Sequence, residues 1–184
     1  MRGCQFRLLL NYDFEVLTGQ GFQGRLPLVT ASLVSPQVEL MEKIRPNKKW
    51  KYKGFEDLVK RCGREMKYAP LPEDIERGLP KNCYYNCLEL LREHPELTYC
   101  EGYALTEDLP LPLAHAWLVD SNGNVIDPTW DDESAVYLGV PFNTQWFIDL
   151  LISRNREDCL SVFESNYLED FSLLKKGISN DAIA

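Results

Sequence analysis

Cys83, His115 and Asp127 follow one another within 45 residues, each in the local setting that covalent acyl chemistry asks of it. A thiolate nucleophile, a base and a carboxylate that orients the base form the minimal kit for forming and resolving a thioester. In that scheme His115 takes the Cys83 proton and the thiolate attacks an amide or ester carbonyl. Water or an amine then releases the acyl group, giving hydrolysis, deamidation or acyl transfer.

The local sequence selects Cys83 from six cysteines, at 4, 62, 83, 87, 100 and 159. Asn82 is an N-cap residue type, so Cys83 falls in the first turn of a helix that runs to about residue 93 and stops before Pro95. Unpaired amides and the helix dipole there favour a thiolate. Cys87 lies one turn further on, where buried packing is the expected role. Of the two histidines, His94 closes the same helix and suits a capping or surface role. His115 opens the alternating run His115, Trp117, Val119, which reads as a strand.

Register decides whether Asp127 can reach His115. A three-residue Ser121-Asn122-Gly123 loop, with Gly123 left-handed, pairs Val119 with Val125 and Trp117 with Asp127. His115, Trp117 and Asp127 then share one face as diagonal neighbours. A two-residue Asn-Gly turn would pair Leu118 with Asp127 and send the carboxylate to the other face. The Cys83 amide with a side-chain donor from Asn82 or Asn86 would form the oxyanion hole. Glu101, Trp117 and Trp130 are candidate substrate-site residues. Glu101 reads equally as a solvated strand residue and as a cleft group.

The elements that must position these residues are legible in outline. Residues 5–17 and 26–34 are β-leaning, separated by a Gly-rich stretch from 19 to 24. Ser35-Pro36 starts a short helix to about Ile44. Phe55, Leu58, Val59, Cys62 and Met66 give helical spacing over 55–67. Pro70, Pro72 and Pro80 mark a linker with a short helical turn near 73–77. Strand 97–104 is expected to pair with strand 115–120. Asn143 or Thr144 caps a helix carrying Trp146 and Phe147, and another helix is expected around 157–168. The resulting domain plan is an N-terminal extension over 1–50, a catalytic core over 51–176 and a frayed tail over 177–184.

Composition fits that plan: 184 residues, 45% hydrophobic and 26% charged, suit one domain with a core. The Arg7–Leu10 run is too short for a signal peptide, and no stretch reaches membrane-spanning length. A cytoplasmic chain with reduced cysteines and no membrane partner is the expectation. Residues 43–67 carry a net +7 against −8 for the whole chain, leaving −15 elsewhere. That balance argues against a general nucleic-acid binder. Arg45–Lys53, with Trp50 and Tyr52, is a candidate dock for an acidic partner, or a solvated loop whose aromatics pack inward.

The order Cys, His, Asp, with spacings of 32 and 12, resembles the papain-like fold in its transglutaminase-like form. The longer pattern PKNCYYN at 80–86, LTYCEGYA at 97–104, HAWLVD at 115–120, IDPTW at 126–130 and YLGVPF at 137–142 also resembles small phage and bacterial proteins. Together these cover roughly residues 55–175. The resemblance implies an α+β domain in which the nucleophile helix packs on an antiparallel sheet. It further implies a cysteine hydrolase or acyltransferase acting on a protein or small amide or ester, without cofactor or metal. Two departures stand out: no glycine precedes Cys83, and Tyr84 stands where tryptophan is common. The alternatives are a catalytically silent protein-binding domain of the same fold, a zinc site from Cys83, Cys87, Cys100 and His115, and an adaptor built on the basic patch. The zinc spacing matches no standard ligand pattern.

Overall fold

A computed structural model describes residues 49–107 and 111–184 of the chain. The expected strands at 5–17 and 26–34, the helix to Ile44, Cys4 and residues 45–48 of the basic patch lie outside the described residues.

Alternating short strands produce a closed five-stranded barrel in the order β1-β4-β3-β2-β5. The strands are β1 (Arg64–Tyr68), β2 (Thr98–Leu105), β3 (Leu113–Val119), β4 (Asn124–Ile126) and β5 (Val136–Pro141). Met66, Cys100, Trp117, Val125 and Tyr137, one from each strand, meet in a single buried cluster, which is the barrel interior. Trp117 fills it only because position 139 is glycine: a Cβ there would lie 2.4 Å from the indole. The class is mixed α+β. The sheet is largely antiparallel but closes through a parallel β1–β4 pairing.

The opposite faces of the strands pack against helices. α1 (Phe55–Cys62), α2 (Cys83–Glu93) and α3 (Thr144–Arg154) cover a second core that includes Leu58, Val59, Cys87, Leu90, Tyr99, Leu118, Val140 and Phe147. α2 has the span expected of it. α3 is capped by Asn143, whose side chain accepts from the Trp146 amide at 3.0 Å. A short α4 (Ser172–Lys176) follows.

Several expectations are corrected. The helix expected over 55–67 ends at Cys62, and Met66 is buried from strand β1 instead. Gly63 takes an extended conformation, φ −80° and ψ 168°, and the place is tight: a Cβ there would lie 2.5 Å from the Val59 carbonyl oxygen. Residues 73–77 hold no helix: a single turn closes from the Pro72 carbonyl to the Ile75 amide, and irregular chain follows. The expected helix at 157–168 is irregular chain leading into a 3₁₀ turn, Asn166–Glu169. The tail is docked: Ile183 bridges Phe142, Ala182 is fully buried, and the Ala184 amide bonds the Pro141 carbonyl at 3.1 Å. Of the basic patch, Tyr52 is core, its amide held by the Leu174 carbonyl. Among the described residues, no helix is long and apolar enough to cross a membrane.

Candidate active site

The hairpin β3–β4 adopts the register with Val119 opposite Val125 and Leu118 opposite Ile126, which places Trp117 opposite Asp127. Its turn is the three-residue loop. Gly123 has φ 82° and donates to the Asp120 carbonyl at 3.0 Å, and the Asp120 carboxylate accepts from the Asn122 and Asn124 amides at 2.8 Å. Asp127 therefore emerges on the interior side of the sheet, beside His115.

His115 Nε2 lies 2.7 Å from Asp127 Oδ2, and both residues are nearly sealed, at 2% and 3% exposure. Asp127 is held from three other directions. The Tyr137 hydroxyl donates to Oδ2 at 2.9 Å, and the Thr129 and Trp130 amides donate to Oδ1 at 2.8 and 3.1 Å. The carboxylate thus orients the imidazole while pinning the chain after Pro128. With Nε2 committed, the other ring nitrogen, Nδ1, is the one left for a further partner, and Cys83 lies near enough to raise the His115 pKa. Burial lowers the His115 pKa, but the bond to Asp127 and the nearness of Cys83 outweigh it and hold the ring at about 9. The imidazole is therefore cationic at neutral pH.

Cys83 sits at the first position of α2 and is partly exposed. Asn82 occupies the N-cap position without a side-chain cap bond, correcting the expectation that it would cap. Among the described residues, the amides of Cys83, Tyr84 and Tyr85 donate to no acceptor, so they remain available to an anion above the helix end. Cys87 is fully buried in the core and burial pushes its thiol well up, which keeps it neutral and inert.

Three of the expected substrate-site residues serve elsewhere. Asn86 is a tether: its Nδ2 donates to the Leu79 carbonyl at 2.8 Å and to Thr129 Oγ1 at 2.9 Å, while Oδ1 accepts from the Leu79 amide at 3.2 Å. Both of its N–H groups are spent, so it has none left for an oxyanion. Its effect is to lash α2 to the segment that follows Asp127. Glu101 pairs opposite Ala116 and so faces away from His115, into the helix-covered side. Trp117 is sealed inside the barrel, its Nε1 donating to Met66 Sδ at 3.1 Å. Trp130, half-buried, does reach the site, stacking on His115.

Tyr137, Thr129 and Ser161 are the residues that sequence reading passed over. Tyr137 belongs to β5, and its distance to Asp127 depends on barrel closure, which no local pattern specifies. Among the described residues, no group of three His, Cys, Asp or Glu side chains is placed to hold a metal ion. No protein-family model, curated protein or solved structure matches this chain.

Proposed function

We propose that this domain is a cysteine-dependent hydrolase or acyltransferase of papain-like, transglutaminase-like kind, acting on an amide or ester through a thioester. The observation that carries the proposal is a buried imidazole bonded to Asp127 and close enough to Cys83, at a helix N-terminus, for the thiol to raise its pKa. The helix-borne cysteine, with His115 on β3 and Asp127 directly after its antiparallel neighbour β4, supports the family reading.

The Cys83 thiolate attacks the carbonyl, and the oxyanion is met by the free amides of the first turn of α2, with Asn82 as the remaining side-chain donor. As the C–N or C–O bond breaks, the leaving group takes the proton held on His115 Nδ1. Water or an amine then attacks the thioester and gives a proton back to His115, and the thiolate leaves. Asp127 keeps the ring in place throughout.

One observation favours a catalytically silent domain of the same fold. Asp127 has a complete structural task on the Thr129 and Trp130 amides, whatever His115 does. The deciding experiment incubates the wild type and Cys83→Ala with a panel of activated esters and anilides and follows the acyl adduct by intact mass. An adduct on Cys83 that turns over supports the proposal. Absence of any adduct, with Cys83 labelled by iodoacetamide no faster than half-buried Cys62, would favour the silent domain.

A further inference from the structure

A cavity of about 420 Å³ opens beside the first turn of α2, lined by both chain neighbours of Cys83, Asn82 and Tyr84. Its far wall, Leu160 and Ser161, is irregular chain between α3 and the 3₁₀ turn. Two buried charged side chains clamp that segment. From one side Glu101 accepts from Ser161 Oγ, from the Val162 amide at 2.6 Å and from the Phe163 amide at 3.0 Å. From the other, Arg154 donates to the Cys159, Ser161 and Val162 carbonyls at 3.1, 2.6 and 3.3 Å while forking onto Glu169. Buried irregular backbone needs partners for its amides and carbonyls, and these two side chains supply them. The wall is built to hold one shape.

The potential in this cavity is negative. Glu157 and Glu164 line it, both exposed and neither in an ion pair among the described residues. Asp158 is matched by Arg156 at 3.1 Å, and Lys81 is the lining cation. Glu101 places a further carboxylate directly behind Ser161. The field reaches the wall beside the nucleophile: burial, then the charges of Glu101 and Glu164, push the Tyr84 phenol far above its usual range.

We propose that this cavity is the subsite for the group attached to the reactive carbonyl, and that it takes a short apolar arm ending in an ammonium or guanidinium. The inference rests on the reading of Cys83 as nucleophile. Leu160 and the Tyr84 and Tyr85 rings give the arm apolar and π surface, and Glu157 and Glu164 meet the cationic end.

The test labels the full chain with iodoacetamide and with iodoacetamides bearing a butyl, an aminopropyl or a carboxyethyl arm, and reads the rate at Cys83 by mass spectrometry. The aminopropyl reagent is expected to react roughly five-fold faster than its butyl isostere, and the carboxyethyl reagent slowest. In the double variant Glu157→Gln, Glu164→Gln the aminopropyl-to-butyl ratio should fall to about one, and in added salt it should shrink. Equal rates for the three arms, with iodoacetamide itself still selecting Cys83 over Cys62, would overturn the subsite and leave the nucleophile standing. Loss of selectivity for Cys83 with every reagent would overturn both.

Discussion

The indole of Trp130 lies flat on the imidazole of His115, with ring centroids 4.1 Å apart and planes inclined by 16°. An aromatic face over an imidazolium is attracted to its charge and shields it from water. The charged ring should quench Trp130, so fluorescence lost on Trp130→Phe is expected to grow in the wild type as pH rises through about 9. The same proton links to stability. The folded-state value lies above the usual 6.5, so stabilisation is fully present below that and lost as pH rises through about 9. A difference signal titrating near 6.5 would show that Asp127 and Cys83 do not hold the charge.

Asp127→Asn tests how completely the carboxylate's two tasks are joined. Thr129 and Trp130 donate backbone amides to Oδ1, so the amide oxygen must stay there and the NH₂ must face His115 and Tyr137. Tyr137 can turn and accept, but His115 is forced to present a bare Nε2 and becomes neutral. Activity on any confirmed substrate should fall by about four orders of magnitude, with a stability loss of about 1–3 kcal/mol. An unchanged pH profile of Cys83 alkylation would remove Asp127 from the site.

Glu101→Gln should loosen the wall of the cavity. Each carboxylate oxygen accepts one backbone amide, Phe163 on Oε1 and Val162 on Oε2, and a carboxamide cannot accept both. Burial outweighs the four donors and pushes the Glu101 carboxyl up to about 7. A carboxyl raised on folding contributes stability that is present below its unfolded value and lost as pH rises through the folded one. The melting-temperature advantage of wild type over Glu101→Gln is therefore expected to narrow between about pH 5 and about pH 7.5. A constant gap would mean that the carboxyl does not titrate in that window.

Two glycines separate close packing from backbone conformation. At Gly139 a Cβ would lie 2.4 Å from Trp117 Cη2 and 2.9 Å from the Glu101 carbonyl oxygen. Gly139→Ala should cost about 1–3 kcal/mol or more through overpacking of the barrel, read by urea unfolding. Gly123 has open space around it but φ 82°, so Gly123→Ala should cost about 1 kcal/mol through backbone strain alone. Equal losses at the two sites would contradict this account of Trp117 packing.

Several features were legible without coordinates because their causes are local. Pro95 and the apolar spacing before it mark α2, which spans Cys83–Glu93, although Asn82 at its N-cap position makes no side-chain cap bond. Asn143 caps α3 through its own side chain. The Ser121-Asn122-Gly123 loop and the period of two left only two registers for the hairpin, one of which brings Asp127 to His115. The chemistry-bearing residues could be named because cysteine, histidine and aspartate at these positions stand beside such local signals.

Tertiary structure decided the rest, because those outcomes depend on which surfaces meet. Met66 continues the helical spacing of Phe55 to Cys62 in sequence, yet it sits in a strand because Gly63 packs against Gly139 and the barrel needs β1 to close. Asn86 looked like an oxyanion donor, but its amide is consumed by Leu79 and Thr129, which come together only in the fold. Glu101 could as well have faced His115, and the pairing of β2 with β3 turned it toward Ser161. Residues 157–163 carry helical spacing, but the Glu101 and Arg154 side chains satisfy their backbone so well that no helix is required. Spacing along a chain specifies which face a residue takes within one element, whereas the partner of that face is chosen by long-range packing.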